Sequence, residues 1–148
     1  MKSARKKIII VDDNASYLSI VRVLLKTHYE IYPAPSAFKL FRIIENFIPD
    51  LVLLDVNMPE MNGFEAISIL KENPRYKNIP VVFLTAKDDE ASAIKGLDLG
   101  ASDYVTKPFS GPLLLKRISN ILLIEQQKRE LQENVVTIAE LRDQLEHQ

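Results

Sequence analysis

Residues 51–63 read LVLLDVNMPEMNG: an apolar run that stops on one carboxylate, Asp55, then enters a turn-forming stretch with Pro59, Asn62 and Gly63. A run of Leu and Val without polar alternation fits a strand buried on both faces, the environment at the centre of a parallel sheet. KIIIV at 7–11 and VVFLT at 81–85 have the same character. DYVTK at 103–107 reads as a further strand, and YEIYPA at 29–34 as a weaker one.

The segments between these runs carry helical spacing. Residues 15–26 place Leu18, Val21 and Leu25 on one stripe with Tyr17, Ile20 and Leu24 beside it, and residues 36–47 bring Phe38, Phe41, Ile44 and Phe47 near one face. Residues 64–72 carry Phe64, Ile67 and Leu70, and residues 89–99 carry Ala93, Ile94 and Leu97. Asn14 and Ser36 are suited to cap helix starts, while Pro49 and Pro80 stand just before strands. Strand and helix thus alternate five times. The pattern predicts an α/β fold, a doubly wound parallel sheet with helices on both faces.

From Ser110 onward no strand signal remains, and the chain is expected to be helical to its end, about 58 Å at 1.5 Å per residue. Leu114, Ile118 and Ile121 can pack its first half on the sheet. Beyond them, Ile121, Ile124, Leu131, Val135, Ile138 and Leu145 recur at alternating steps of three and four, with Lys128 and Arg142 interrupting the seam. Glu, Gln, Lys and Arg fill most other positions, which is a coiled-coil pattern. A lone solvated helix is the alternative, and it would leave that stripe wet. The expectation is a homodimer through residues 121–145.

Composition narrows the chemistry. The chain has 148 residues, a net charge of -1 and no cysteine, so disulfides, thiolate catalysis and cysteine zinc sites are excluded. The pI near 6.1 argues against a nucleic-acid-coating surface, and the basic cluster Lys2, Arg5, Lys6 and Lys7 reads as a solvated lead-in. His28, at the end of the first helix, and His147, in the tail, are too far apart in sequence to suggest a metal cluster or a Ser-His triad. No apolar stretch approaches the roughly 20 residues that span a bilayer, and no signal peptide is visible. A soluble cytoplasmic protein, without membrane or nucleic-acid contact, is expected.

In doubly wound sheets ligands bind beyond the carboxyl ends of the strands. Here those ends deliver Asp12 and Asp13, then Asp55, then Thr85 and finally Lys107. Three clustered carboxylates repel by about 4 kcal/mol per pair at about 4 Å and an effective dielectric near 20. A hard divalent cation relieves that repulsion, and oxygen-only ligands favour Mg²⁺, with Mn²⁺ also suited. A structural ion pair between Lys107 and one aspartate is the plainer alternative, and it accounts for only part of the set.

These residues lie within VDDN at 11–14, LLDVNMPEMNG at 53–63, LTA at 84–86 and YVTKPF at 104–109. In that order the motifs resemble the receiver domains of two-component response regulators, over roughly residues 6–123. The resemblance implies a flavodoxin-like five-stranded sheet of order 2-1-3-4-5. It implies that Asp55 accepts a phosphoryl group from the phosphohistidine of a sensor histidine kinase, and that the only chemistry is this self-catalysed aspartyl phosphorylation and dephosphorylation. Asp13 and Asp55 would bind Mg²⁺ directly, with Asp12 acting through water and the backbone carbonyl of Asn57 completing the set. Thr85 and Lys107 would contact phosphoryl oxygens, and the Lys107–Pro108 bond would be cis. Thr85 and Tyr104 would form the switch that remodels the face of helix four, strand five and helix five, with a plain core role for an aromatic on a strand as the alternative.

On this reading residues 1–123 form the receiver domain and residues 124–148 a helical coiled-coil extension. The extension resembles linkers that precede effector domains, so a receiver-plus-linker portion of a longer regulator is the expectation, with a complete single-domain regulator as the other reading. A haloacid-dehalogenase-type Mg²⁺ phosphatase also uses a strand-end aspartate. It needs a second aspartate two positions on, where this chain has Asn57. A flavodoxin would want a Ser/Thr/Gly-rich loop after the first strand, in place of DDNAS.

Overall fold

The computed structural model describes residues 5–86 and 88–146; Lys2 of the basic cluster and His147 lie outside the described residues. In chain order the elements are β1 (Lys7–Val11), α1 (Ala15–Leu25), β2 (Glu30–Ala34), α2 (Ala37–Ile44), β3 (Leu51–Asp55) and α3 (Gly63–Glu72). They continue with β4 (Val81–Ala86), α4 (Glu90–Asp98), β5 (Asp103–Lys107) and α5 (Gly111–Glu146). The strands form one parallel sheet of order β2-β1-β3-β4-β5.

The unbroken apolar strands have a direct cause. Successive residues point to opposite faces. Ile8, Ile10, Leu51, Leu53, Val82 and Leu84 enter one core with Val21 and Leu25 of α1 and Leu114, Ile118 and Ile121 of α5. Their neighbours Ile9, Val11, Val52, Leu54, Val81 and Phe83 enter a second core with Leu40 and Ile44 of α2 and Ala66, Ile67 and Leu70 of α3. Both faces are covered, so both sets must be apolar.

Two helices turn differently from the sequence reading. In α2 the buried stripe is Ala37, Leu40 and Ile44, while Phe38 stands 50% exposed. That helix ends at Ile44, and Phe47 lies beyond it with its ring 4.7 Å from Tyr32 and under Lys7 Nζ at 4.8 Å. The smaller Ala37 allows closer approach to the sheet, and the nearby Pro49 helps end the helix early. In α4, Ala93 and Gly96 are buried whereas Ile94 and Leu97 are 53% and 41% exposed. Phe83 is the reason: a Cβ on Gly96 would come within 2.5 Å of its ring. The large side chain belongs to the strand, so the helix must present its smallest residues.

The final helix, α5, runs 36 residues without interruption, about 54 Å at 1.5 Å per residue. The Leu114 N–H donates to the Ser110 carbonyl at 2.9 Å, which sets its first turn. Arg117 Nη1 donates to both Asp103 carboxylate oxygens at 3.2 and 3.1 Å and to the Tyr104 carbonyl at 3.4 Å, tying α5 to β5. Leu114, Ile118, Ile121 and Leu122 are buried. From there outward Ile124, Leu131, Val135, Ile138 and Leu145 are all exposed. No helix among the described residues is long and apolar enough to cross a membrane.

Candidate functional site

Register brings the strand ends to one place. Val11 pairs with Leu54 and Asp55 with Leu84, so Asp12 lies level with Asp55, and Thr85 stands one step beyond. Ala86 pairs with Lys107, which brings the ammonium to the same edge. Carboxylate oxygens of Asp12, Asp13 and Asp55 all lie within 4.8 Å of one another. Lys107 Nζ is 2.7 Å from Asp12 Oδ2 and 3.3 Å from Asp55 Oδ1. The ion pair first weighed as a plain alternative therefore exists, inside the larger cluster rather than instead of it.

The three aspartates differ in what remains free. Asp12 is fully buried, with Oδ2 held by Lys107 and Oδ1 accepting the Asn14 N–H at 2.9 Å. Asp13 is exposed, and its carboxylate has no hydrogen-bond or ion-pair partner among the described residues. Asp55 is 6% exposed. Burial and the charge of Asp12 push its carboxyl up to about 6, against the pull of Lys107 and of the Asn57 N–H. For Lys107, burial acts downward, but the hydrogen bond to Asp12 and the charges of Asp55 and Asp12 outweigh it and leave the ammonium raised. Three carboxylates against one ammonium leave two negative charges uncompensated, a set that fits a divalent cation.

Thr85 adds the most pointed observation. It is 2% exposed, and its hydroxyl has no hydrogen-bond partner among the described residues. A buried hydroxyl in that condition is costly, and an oxygen or nitrogen partner placed at this edge would relieve it.

The loop after Asp55 shows why the strand turns at once. Gly63 packs where a Cβ would meet the Asp55 carbonyl at 2.5 Å, and its N–H donates to the Val56 carbonyl at 2.9 Å. Asn62 caps α3 in a reciprocal capping box with Glu65. Glu60 takes a left-handed conformation, φ 69°. The turn thus folds α3 tightly behind β3 and keeps Asp55 at the rim. Asn57, whose carbonyl belongs to the implied ligand set, is exposed in this loop. Tyr104 is half-buried against the core that contains Phe83, and Lys107–Pro108 is cis.

One neighbour of the site was not singled out in the sequence. Lys107 Nζ sits over the Tyr17 ring, 4.3 Å from its centroid, and that ring lies 6.2 Å from Phe109. The signal was available: a helix capped by Asn14 immediately after Asp12 and Asp13 must hold its first turn over the strand ends. A separate cleft of about 670 Å³ lies among Ile48, Pro49, Lys71, Arg75, Lys128 and Arg129, and none of the strand-end residues lines it.

Comparison with known proteins agrees with this geometry. The response regulator receiver domain family matches residues 8–119. The chain belongs to that family. This receiver domain is 41% identical over 121 residues to a Vibrio cholerae protein named "Probable cyclic di-GMP phosphodiesterase", covering 82% of this chain and 27% of that protein. It is 39% identical over 118 residues to the Pseudomonas aeruginosa phosphate regulon transcriptional regulatory protein PhoB, covering 79% of this chain and 52% of PhoB. It is likewise similar to the crystal structure of the chemotaxis response regulator CheY4 of Vibrio cholerae, with a TM-score of 0.74, 28% identity, and coverage of 80% of this chain and 99% of that one. The chain spans about a quarter of the first relative's length and about half of the second's. Receiver domains are phosphorylation-activated phosphoacceptor switches that work with sensor histidine kinases and bind Mg²⁺ at an acidic pocket, here the Asp12, Asp13 and Asp55 cluster. The haloacid-dehalogenase alternative gains no support from the family match.

Proposed function

We propose that Asp55 of this receiver domain is the phosphoacceptor, supplied by the phosphohistidine of a sensor kinase, and that Lys107 and Thr85 hold the transferred group. The observation that carries the reading is the buried Thr85 hydroxyl, without a hydrogen-bond partner among the described residues, at the edge where Asp55 and Lys107 meet. A phosphoryl oxygen is the partner it lacks. Phosphoryl transfer is mainly a problem of positioning and charge, because the transition state spreads negative charge over the equatorial oxygens. The Lys107 ammonium is held 3.3 Å from Asp55 Oδ1 and needs only a small reorientation to meet such an oxygen.

Asp13 and Asp55 would hold Mg²⁺ directly, Asp12 would act through water, and the Asn57 carbonyl would complete the protein ligands; Mn²⁺ suits the same oxygens. Bound there, the cation supplies the charge that keeps Asp55 ionised near neutral pH and offsets that of the phosphoryl group. Once phosphorylated, Asp55 carries roughly -1.5 to -2 charges in a small pocket. Thr85 turning to the new oxygen and Tyr104 turning inward would remodel the face of α4, β5 and α5, within which Arg117 ties α5 to β5. Asn57, standing two residues after Asp55, has no proton to give or take at the pH of the reaction. The chain therefore acts as a switch rather than as an enzyme turning over external phosphoesters.

The same reading assigns residues 1–123 to the receiver unit and residues 124–148 to a coiled-coil extension, with a homodimer through residues 121–145 and a cytoplasmic location beside the kinase. The exposed Leu131, Val135, Ile138 and Leu145 support the dimer. Coupling of the extension to an effector domain is supported by relatives in which the matched region is only part of a longer protein. The test is direct: acetyl phosphate with Mg²⁺ should add one phosphoryl mass to the wild-type chain and none to Asp55→Asn, and an equal gain in the variant would refute the assignment.

A further inference from the structure

Tyr17 stands in the first turn of α1, and its ring face meets the ammonium that the proposed chemistry depends on. Its position is fixed by a closed circuit of contacts. Lys107 Nζ donates to Asp12 Oδ2 at 2.7 Å, and Asp12 Oδ1 accepts the Asn14 N–H at 2.9 Å. Asn14 Oδ1 caps α1 by accepting the Ser16 and Tyr17 N–H groups at 2.9 and 3.3 Å. The Tyr17 ring then returns to Lys107 at 4.3 Å and leans on Phe109, tilted by 48°. Each member of the circuit orients the next.

We propose that Tyr17 is a positioning residue for phosphoryl transfer at Asp55, holding the Lys107 ammonium at the carboxylate cluster through the face of its ring. The inference rests on the phosphoacceptor reading above. An ammonium has three donors. Asp12 and Asp55 take two directions, and the ring covers a third, where its negative face attracts the cation. Lysine ends a flexible four-carbon stem, so without that wall the ammonium would exchange toward solvent. The choice of an aromatic ring matters. A carboxylate in its place would bind the ammonium and compete with the phosphoryl group, whereas an aliphatic side chain would desolvate it without compensation. A π face attracts without accepting a full hydrogen bond, and leaves Lys107 free to turn to a phosphoryl oxygen.

The experiment measures the rate of phosphorylation of the full chain by acetyl phosphate at saturating Mg²⁺, with Mg²⁺ affinity followed by titration calorimetry. Tyr17→Leu is expected to slow the reaction about three- to tenfold, the range of a partly desolvated cation–π contact, with Mg²⁺ affinity not reduced. Tyr17→Phe keeps the ring face and should restore the rate. Combined with Lys107→Ala, Tyr17→Leu should add no further loss, because its effect runs through the lysine. A wild-type rate in Tyr17→Leu, an equal loss in Tyr17→Phe, a fall in Mg²⁺ affinity matching the rate, or a full additional loss on the Lys107→Ala background would each overturn the proposal. If Tyr17→Leu fails to melt cooperatively, Tyr17→Trp takes its place; it presents a larger π face, and a rate below wild type would count against the inference. If the wild-type chain itself takes up no phosphoryl group, it is the phosphoacceptor reading that fails.

Discussion

The strand-end pocket and the outer half of α5 are inverse arrangements. In the pocket, polar groups are sunk among aliphatic strands: Asp12, Asp55 and Thr85 are 0%, 6% and 2% exposed. Along the extension, aliphatic groups stand in water among Glu, Gln and Arg, with Leu131, Ile138 and Leu145 65%, 59% and 70% exposed. Each arrangement is unfavourable left as it is, the first through buried charge and the second through wet apolar surface. On the function proposed above, each would gain stability from something outside the chain, and the difference lies in what would complete them. The pocket would be completed by small charged groups, so single side chains should decide its behaviour. The extension would be completed by another apolar stripe, so only the class of residue at each heptad position should count.

Breaking the pocket side by one residue should have the largest effect. Lys107→Ala, kept folded at saturating Mg²⁺, is expected to lose about 10²-fold in phosphorylation rate, the scale for deleting a cationic or hydrogen-bonding stabiliser of transition-state charge. A wild-type response would remove Lys107 from the mechanism. The extension should answer only to a larger change. Deleting residues 125–148 is expected to turn a dimer into a monomer or a weaker associate, and an unaltered mass by light scattering would retire the coiled-coil claim.

Smaller effects sharpen the contrast. Asp55 has its carboxyl raised from 3.8 to about 6 by burial and by Asp12. A raised carboxyl means that the folded chain holds a proton that the unfolded chain has lost, so this group's contribution to stability falls as pH rises from about 4 to about 6. With a chelator present, Asp55→Asn should therefore stabilise the fold by on the order of 2 kcal/mol at pH 8, with no gain at pH 4. A gain of the same size at both pH values would contradict the stated cause. Smallest of all, Glu60→Gly relieves the left-handed φ of 69° and should raise stability by about 0.5–1 kcal/mol, while an unchanged or lower melting temperature would show that no strain resides there.

Much of this was legible in the sequence, for reasons that differ by region. Strands covered on both faces have to be apolar throughout, so β1, β3 and β4 declare themselves as unbroken runs. The strand-end residues were legible because each of these apolar runs stops on a charged or hydroxyl side chain, and a parallel sheet brings those ends to one edge. Helix faces were less so. Which side of α4 meets the sheet depends on Phe83, a residue on another element, and the Gly96 contact that settles it has no periodicity of its own. Phe38 was misplaced on α2 for a similar reason: two adjacent apolar stripes compete, and the one with the smaller Ala37 packs closer. The Tyr17–Lys107 contact joins side chains 90 positions apart, and only the assembled register of β1, β3, β4 and β5 brings them together.

The most direct measurement is chemical. After treatment with acetyl phosphate and Mg²⁺, borohydride reduction converts an acyl phosphate to the corresponding alcohol and marks its position for peptide mass spectrometry. The account predicts homoserine at residue 55 alone. Homoserine at Asp12 or Asp13, or none anywhere in a well-folded and metal-loaded sample, would contradict it.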